Sequence, residues 1–298
     1  MSSTLVPVEG TPPFDVLERS RLFAFLLDLI RRVYRPSLEK AVTDYGLVIV
    51  GGQSLTLWAR QYLIDEMTGE DVAFVASDDL DFIGNPASID YCAKQLGIEF
   101  KKASIDDHTP NLAVAYIDWG PDDKEVVVDI LGAEGVAGIS NREIFKYLAV
   151  VDVDGVEVAV IDPITCIKSR VANLFAYWQS DRKREAVRVR TAIRATYYYL
   201  LEILGHEGYR AVAPHIRRIR KYATCRQGRR LYIEHGIDVL KAIPNDPTGF
   251  PGNYIEIGHP RLVQAVACIR GRKIEHYKQY TPGAIHVSHL DGVVCDPR

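Results

Sequence analysis

Hydrophobic residues divide the chain into a part where helical and strand patterns alternate and a later part that is mainly helical. Apolar residues recur every three or four positions over residues 14–33, which predicts an amphipathic helix ending near Arg35-Pro36; residues 37–44 form a second helical piece. Branched apolar residues at 45–50 predict a strand that Gly51-Gly52 ends. A helix is expected from residue 53 or 54 to about 67, with Ser54 as a candidate cap.

Strand patterns then continue as far as residue 161. Asp79 and Asp81 lie in a predicted strand, and a helix ending at Leu96 follows it, closed by Gly97. Strands are predicted at 112–118 and 124–131, joined by a turn at 120–123. A hairpin at 147–161 turns at Asp154-Gly155, the strongest short-range hairpin signal in the chain.

Helical patterns dominate after the hairpin. Asp162 as cap and Pro163 in the first turn open a helix, and the chain beyond residue 180 is predicted helical to about residue 240. Prolines and glycines after residue 243 predict a loop, and the segment after Pro260 is expected to hold one short helix and an irregular tail. We therefore predict an α+β fold: a flexible terminus at 1–13, a mixed β-sheet flanked by helices at 14–162, and a mainly helical, basic domain at 163–298.

Composition narrows the class of protein. The chain has 298 residues, of which 47% are hydrophobic, enough for a large core. Its longest apolar runs fall far short of the roughly 20 residues that a membrane helix needs, and its N-terminus does not resemble a signal peptide. We expect no membrane partner and a cytoplasmic location.

The cysteines give little support for a disulfide framework or a metal site. They are five in number, widely scattered and without CxxC spacing, so we expect reduced, buried thiols. His286 and His289 with Cys295 form a weak zinc pattern at best.

Charge is distributed unevenly, although the net charge is only -3. Acidic residues cluster between 65 and 134, whereas residues 182–230 are strongly basic and contain interleaved tyrosines. An acidic half suits cations and a basic half suits polyanions. For any single lysine or arginine, however, a solvated helix face is the default interpretation.

Three aspartates are placed to hold metal. Side chains alternate along a strand, so Asp79 and Asp81 face one way while Leu80 and Phe82 face the core. Asp129 interrupts an apolar strand, where a carboxylate is costly to bury without a partner. Magnesium prefers such hard oxygen ligands and takes its remaining ligands from water and phosphates.

A glycine pair before a helix complements these acids. Free N–H groups at a helix N-terminus can hold a phosphate, so Gly51, Gly52 and Ser54 are candidate phosphate-binding residues. Taken alone, Asp-x-Asp is common and could be a solvated strand end. The order strand, Gly-Gly, helix, paired aspartates and third aspartate favours a nucleotide site, although Asp78 rather than Asp79 could begin the pair.

This arrangement resembles the polymerase-beta-type nucleotidyltransferase superfamily, and most closely the AbiEii-type nucleotidyltransferase toxins of bacterial toxin-antitoxin systems. The matching stretches are Gly51 to Leu55, Asp79 to Phe82 and a proline-led helix at 163–174 with Lys168. The resemblance covers roughly residues 45–178 and implies a nucleotidyltransferase-fold domain. The family often has Arg-Asp-x-x-Asp-Leu after the lysine helix; this chain has Ser180-Asp181-Arg182-Lys183-Arg184-Glu185 instead, where Asp181 is a candidate replacement.

Lys168 is a candidate for the nucleotide site on two grounds. At about 100° per residue, it falls within the apolar arc of its helix, whereas Arg170 faces away. An inward lysine either snorkels past apolar neighbours or reaches into a pocket. The resemblance implies the second role, binding nucleotide phosphates.

These features predict a metal-dependent nucleotidyltransferase that uses Mg²⁺ or Mn²⁺ and transfers a nucleoside monophosphate from a nucleoside triphosphate to RNA. Asp79 and Asp81 would bind metal, and Asp129 would bind metal or act as the base. The resemblance makes transfer RNA the expected acceptor and an antitoxin protein a possible partner. Two alternatives stay open: modification of a protein or small molecule, and a non-catalytic RNA-binding protein with this fold.

Overall fold

A computed structural model describes residues 16–67, 75–104, 106–119, 124–132, 135–176, 181–245 and 248–280, with side chains described from residue 20 to residue 272 within these ranges. The chain divides into two compact units between Thr191 and Ala192. The predicted flexible terminus, the turn at 120–123 and the tail with the weak zinc pattern lie outside the described residues.

Helices and strands alternate in the first unit. The helices are α1 (Val16–Tyr34), α2 (Leu38–Thr43), α3 (Gly51–Leu63), α4 (Pro86–Leu96), α5 (Asn141–Lys146), α6 (Pro163–Leu174) and the start of α7 (Arg182–Glu207). The strands are β1 (Val48–Ile49), β2 (Leu80–Ile83), β3 (Lys101–Lys102), β4 (Asn111–Asp118), β5 (Glu125–Leu131), β6 (Leu148–Val153) and β7 (Val156–Ile161).

The strands form one mixed sheet in the order β3-β4-β5-β2-β1-β7-β6. Strand β2 runs parallel to β5 and antiparallel to β1, which in turn runs parallel to β7. Two antiparallel pairs, β3–β4 and β6–β7, complete the edges. Strands β2 and β5 therefore lie side by side near the middle of the sheet.

Alternation along the central strands separates the core from a polar face. Leu80 and Phe82 on β2, and Val128 and Ile130 on β5, are fully buried. The residues between them, Asp81 and Asp129, are half-buried. One face of the pair therefore holds the hydrophobic core and the other presents carboxylates.

Buried hydrogen bonds fix helices to the sheet. The Tyr34 hydroxyl at the end of α1 donates to the carbonyls of Leu47 and Ala159, at 3.1 and 3.2 Å. The Trp58 indole of α3 donates to the Ile161 carbonyl at 2.8 Å. These bonds satisfy polar groups that burial would otherwise leave at a cost, and they set α1 and α3 against β1 and β7.

The predicted helix cap, hairpin turn and helix end are present in the structure. Asp162 accepts a hydrogen bond from the Thr165 N–H at the start of α6, as a helix cap does. Asp154 and Gly155, with φ of 51° and 83°, turn the β6–β7 hairpin. Gly97 closes α4 with a φ of 70°.

The second unit is helical. It contains the rest of α7, α8 (Tyr209–Thr224), α9 (Arg226–His235), a 3₁₀-helix (Val239–Ala242), a π-helix (Tyr254–Gly258) and α10 (His259–Tyr280). Helix α10 has 22 residues, so the prediction of one short helix after Pro260 was wrong. The hydrophobic pattern there is weak because many positions of α10 keep some exposure.

The predicted α+β class, with a mixed sheet flanked by helices and a helical C-terminal part, is confirmed. Helix α6 belongs to the first unit, where it packs against α3, so the division differs from the predicted limit at 162/163. Four cysteines, Cys92, Cys166, Cys225 and Cys268, are free thiols. Within the described ranges, no helix is long and apolar enough to cross a membrane.

Candidate active site

The glycine pair forms a sharp turn between β1 and α3. Gly51 has a φ of 65°, a left-handed conformation that favours glycine. A Cβ at Gly51 would overlap Oδ2 of Asp81 and lie 2.7 Å from its Cγ. The Gly52 N–H donates a hydrogen bond to the Asp81 carboxylate. The glycines thus let the start of α3 approach an acidic side chain closely.

The helix begins at Gly51, two residues earlier than the earliest predicted start. Ser54 therefore lies within its first turn and does not cap it; the cap position is Val50, which supplies no side-chain hydrogen bond. The Ser54 hydroxyl is fully buried, donates to the Gly51 carbonyl at 2.8 Å and lies 3.6 Å from the Cys166 sulfur. These contacts are internal ones, so a phosphate role for Ser54 stays a prediction.

Asp81 and Asp129 are paired by the sheet itself. They are register partners on the parallel strands β2 and β5. Adjacent strands lie about 4.8 Å apart, so the two side chains leave the same face as neighbours. Asn111 on β4 donates to Oδ1 of Asp129 at 2.9 Å and orients that carboxylate.

Asp79 joins this pair from the segment just before β2. Its negative charge raises the pKa of both Asp81 and Asp129. The neighbouring Asp78 instead has its Oδ2 at 3.6 Å from a guanidinium nitrogen of Arg184. The charge of Asp79 thus acts on both acids, which favours Asp79 over Asp78 as the first member of the pair; its metal role stays a prediction.

The three carboxyl groups have raised pKa values. Loss of solvent, followed by the charges of Asp79 and Asp129, raises the pKa of Asp81 to about 7. Loss of solvent and the charge of Asp79 raise the pKa of Asp129 to about 6. Asp79 keeps an exposed surface, but the atoms around it remove enough water to raise its pKa as well. Together they form a site where negative charge is concentrated and incompletely balanced.

This donor set suits a hard divalent cation, because carboxylate oxygens are the ligands that Mg²⁺ and Mn²⁺ accept. Among the described residues, no group of three or more His, Cys, Asp or Glu side chains is arranged to hold a metal ion alone. Magnesium commonly takes part of its coordination from water and substrate phosphates, and a metal role for Asp79, Asp81 and Asp129 stays a prediction.

Lys168 is half-buried on α6, and its ammonium forms an ion pair with the Glu143 carboxylate of α5. A nucleotide phosphate would have to compete with Glu143 for this lysine.

Arg170 was expected to face away from the core, but it is only 4% exposed. Its charge lowers the pKa of Asp81, and it lies 3.7 Å from Glu185. The helical-wheel argument failed because α6 is buried on nearly every side, including Ser169 and Thr165. The apolar arc of such a helix does not identify its buried face.

Two arginines at the start of α7 lie close to Asp79, although the sequence placed them in the basic run 182–230. The charges of Arg188 and Arg184 lower the pKa of Asp79. Burial, and then the neighbouring Arg184, lower the pKa of Arg188 to about 10. Asp181 caps this helix by accepting a hydrogen bond from the Arg184 N–H at 2.9 Å.

A sequence signal for these inward charges exists. The buried stripe of α7 includes Val189, Ala192, Thr196 and Leu200, at helical spacing. Continued backwards by three or four residues, it reaches Glu185 and Arg188, which are 3% and 9% exposed.

Comparisons with known proteins add little. No model of a protein family matches the chain, and no curated protein matches it. A search of solved structures finds similarity to an antigenic nucleotidyltransferase-like protein from Paracoccidioides brasiliensis. That match covers 59% of this chain and 76% of the other, at 10% identity and a TM-score of 0.38. Such a distant likeness does not assign a family.

In the second unit, α8 carries basic residues on its solvent side. Its exposed basic side chains, with one at the start of α9, are Arg210, Arg217, Arg220, Lys221 and Arg226; we call them the basic stripe. None of the five has an ion-pair partner within the described part of the chain.

Most of the tyrosines interleaved with the basic residues make contacts inside the protein. Tyr222 is buried, Tyr209 packs against Phe250 and Tyr254, and Tyr232 lies under the Arg270 guanidinium at 4.2 Å. Tyr197, Tyr198 and Tyr199 are half-buried. None of these six rings is fully exposed, so base stacking on them is not supported.

Proposed function

We propose that the protein is a metal-dependent nucleotidyltransferase of the polymerase-beta type, similar to the AbiEii-type toxins. The observation that carries the proposal is the in-register pair Asp81 and Asp129, with Gly51 placed directly against Asp81. A carboxylate pair beside a helix N-terminus suits a substrate that brings both a cation and phosphates. The raised pKa values of these acids support it further, because perturbed groups cluster at functional sites.

In this proposal Asp79 and Asp81 would hold Mg²⁺ or Mn²⁺, and Asp129 would either help to hold a second ion or act as the base. The ions supply charge neutralisation for the phosphates and for the oxygens that attack and leave. The N–H groups at Gly51 and Gly52, together with Lys168, hold the triphosphate of the nucleotide. Arg184, which is half-buried beside Asp79, adds a positive charge at the same edge.

The proposed reaction transfers one nucleoside monophosphate to the acceptor. The acceptor hydroxyl oxygen forms a bond to the α-phosphorus, the bond from that phosphorus to the bridging oxygen breaks, and pyrophosphate leaves. Where Asp129 acts as the base and not as a metal ligand, it accepts the hydroxyl proton; its pKa of about 6 suits that role near neutral pH.

The basic stripe supports RNA as the acceptor, with transfer RNA the class that the family resemblance implies. Exposed arginines and lysines without acidic partners attract a phosphate backbone. Modification of a protein or a small molecule, and RNA binding without catalysis, are the competing outcomes. A toxin role with an antitoxin partner belongs to the same resemblance.

The test incubates the protein with each α-labelled nucleoside triphosphate, Mg²⁺ and either total RNA or total protein. We expect label in the RNA fraction, loss of transfer in Asp79→Ala and Asp81→Ala, and weaker nucleotide binding in Lys168→Met. Asp118→Ala is the matched control, because Asp118 is exposed at the end of β4.

Full activity in both site variants would refute the assignment. Label in the protein fraction would redirect it to protein modification. Salt-sensitive RNA binding without any nucleotide binding would favour the non-catalytic alternative. Circular dichroism of each variant checks that its fold is retained.

A further inference from the structure

The segment before β2, residues 76–79, is held by two guanidinium groups. Arg188 and Arg184 both donate to the Ala76 carbonyl, from Nη2 atoms at 2.9 and 3.1 Å. One carbonyl oxygen thus accepts two charge-assisted hydrogen bonds, the stronger class of such bonds. Asp79 follows Ala76 by only three residues, so these bonds restrict where its carboxylate can lie.

Arg188 is itself held in place by a buried carboxylate. Its Nη1 donates to Oε1 of Glu185 at 2.8 Å, one turn earlier on α7. Glu185 also lies 3.7 Å from a guanidinium nitrogen of Arg170 on α6. Since both identified guanidinium bonds of Arg188 are made within the protein, its contacts fit a structural support better than a phosphate ligand.

The segment also packs against the glycine turn. A Cβ at Gly52 would overlap the Ser77 hydroxyl and lie 2.7 Å from the Ser77 Cβ. Residues 76–79 are therefore held both by the guanidiniums of α7, at Ala76, and by the first turn of α3, at Ser77. Both contacts restrict the segment that leads to Asp79.

Stability alone does not explain these buried charges. A buried ion pair often contributes no more than apolar side chains of similar size would. Hydrogen bonding is also incomplete within the described residues: Nε of Arg170, Oε2 of Glu185 and Nε of Arg188 have no hydrogen-bond partner. Groups left in this way are costly, which favours a positioning role over a stabilising one.

We propose that Glu185 and Arg188 are positioning residues that place Asp79 for cation binding. Glu185 orients the Arg188 guanidinium, and Arg188 holds the Ala76 carbonyl, next to Ser77, which packs against Gly52. That the cation is a cofactor of nucleotide transfer rests on the proposed function. That Glu185 and Arg188 hold the segment leading to Asp79 does not.

The experiment compares Glu185→Gln and Arg188→Lys with the parent protein. Arg188→Lys keeps the charge but loses the planar fork that reaches two acceptors at once. Binding of Mn²⁺ to the nucleotide-free protein is measured by electron paramagnetic resonance, alongside melting temperature and kcat. We expect Mn²⁺ affinity to fall by about 10- to 100-fold, as for other residues that orient metal ligands. Excess Mn²⁺ should restore part of kcat.

Asp238→Asn serves as the control for loss of a partly buried ion pair. Asp238 binds Arg270 through two hydrogen bonds at 2.7 and 2.9 Å in the second unit. We expect this variant to melt earlier while keeping the parent's Mn²⁺ affinity and kcat.

Parent-like Mn²⁺ affinity in both Glu185→Gln and Arg188→Lys would overturn the positioning role, as would a parent protein that binds no Mn²⁺. The two proposals fail separately. If Asp79→Ala and Arg188→Lys both weaken Mn²⁺ binding but the parent transfers no nucleotide, the positioning role stands and the transferase assignment falls. If Asp79→Ala abolishes transfer while Arg188→Lys changes nothing, the transferase assignment stands and the positioning role falls.

Discussion

Substitution of Gly51 by alanine gives the sharpest test of how closely the glycine turn approaches Asp81. Gly51 and Gly97 have nearly the same φ, 65° and 70°, but different surroundings. A Cβ at Gly97 would meet no atom within 4 Å, whereas one at Gly51 would overlap the Asp81 carboxylate. Gly97→Ala is therefore a matched control for backbone strain without crowding.

The expected magnitudes follow from this difference. A residue with a Cβ in the left-handed conformation lowers the free energy of unfolding by about 1–2 kcal/mol, and this applies to both variants. Gly51→Ala adds overpacking, typically about 1–3 kcal/mol. In an Asp81→Ala background the overlapping Oδ2 and Cγ atoms are gone and only the Cβ of residue 81, at 3.0 Å, remains close, so the cost of Gly51→Ala should fall most of the way to that of Gly97→Ala.

Urea unfolding followed by tryptophan fluorescence measures these costs as changes in the free energy of unfolding. All three tryptophans, Trp58, Trp119 and Trp178, precede the division at Thr191/Ala192, so the signal reports the first unit. Equal costs for Gly51→Ala and Gly97→Ala, or additivity of Gly51→Ala with Asp81→Ala, would refute the close approach.

Two further predictions concern charge. The pKa of Asp81 is about 7 in the folded protein, whereas the ordinary pKa of an aspartate is 3.8, so the folded state holds this proton more tightly. The stability that the proton contributes to the folded state should be lost as pH rises from about 4 to about 7. Urea unfolding of the metal-free protein at about pH 5 and about pH 8 measures this loss, which should be smaller in Asp81→Asn than in the parent. The same change in unfolding free energy between the two pH values in both proteins would contradict the raised pKa. A triple variant with Arg217→Gln, Arg220→Gln and Lys221→Gln should bind labelled RNA more weakly, and the slope of log affinity against log salt concentration should fall by about 0.7–0.9 per lost contact. The control is Arg230→Gln, because the Arg230 guanidinium pairs with Glu234 at 2.7 Å. An unchanged slope in the triple variant would exclude the basic stripe as the RNA-binding surface.

The sequence predicted the elements that bring the site together. Gly51-Gly52 after an apolar strand, and an aspartate within another apolar strand, have local causes: a left-handed turn and a two-residue alternation. These causes also predicted that Leu80 and Phe82 face the core, and both are fully buried. The register that pairs Asp81 with Asp129 depends on contacts distant in sequence, which local patterns do not determine.

Prediction failed where burial was not one-sided. On α6 the apolar arc marked Lys168 as inward and Arg170 as outward, but both sides of the helix are covered. On α7, Glu185 and Arg188 read as part of a basic, solvated run, since a charged side chain shows no hydrophobic period of its own. The helical spacing of the apolar stripe on α7 does point to these two positions, but the groups with which they pair depend on contacts distant in sequence.

The place of β1 in the sheet has a consequence for folding. This two-residue strand joins β2 to β7, and its partner in β7, Val160, lies more than one hundred residues after Ile49. Closing loops of that length costs entropy before the contacts form, so pairings of this kind slow folding. The glycine turn, however, meets Asp81 through β1 and β2, and Asp81 meets Asp129 through β2 and β5, pairings that lie much closer in sequence. The acidic pair and the glycine turn should therefore assemble during refolding before β7 joins β1.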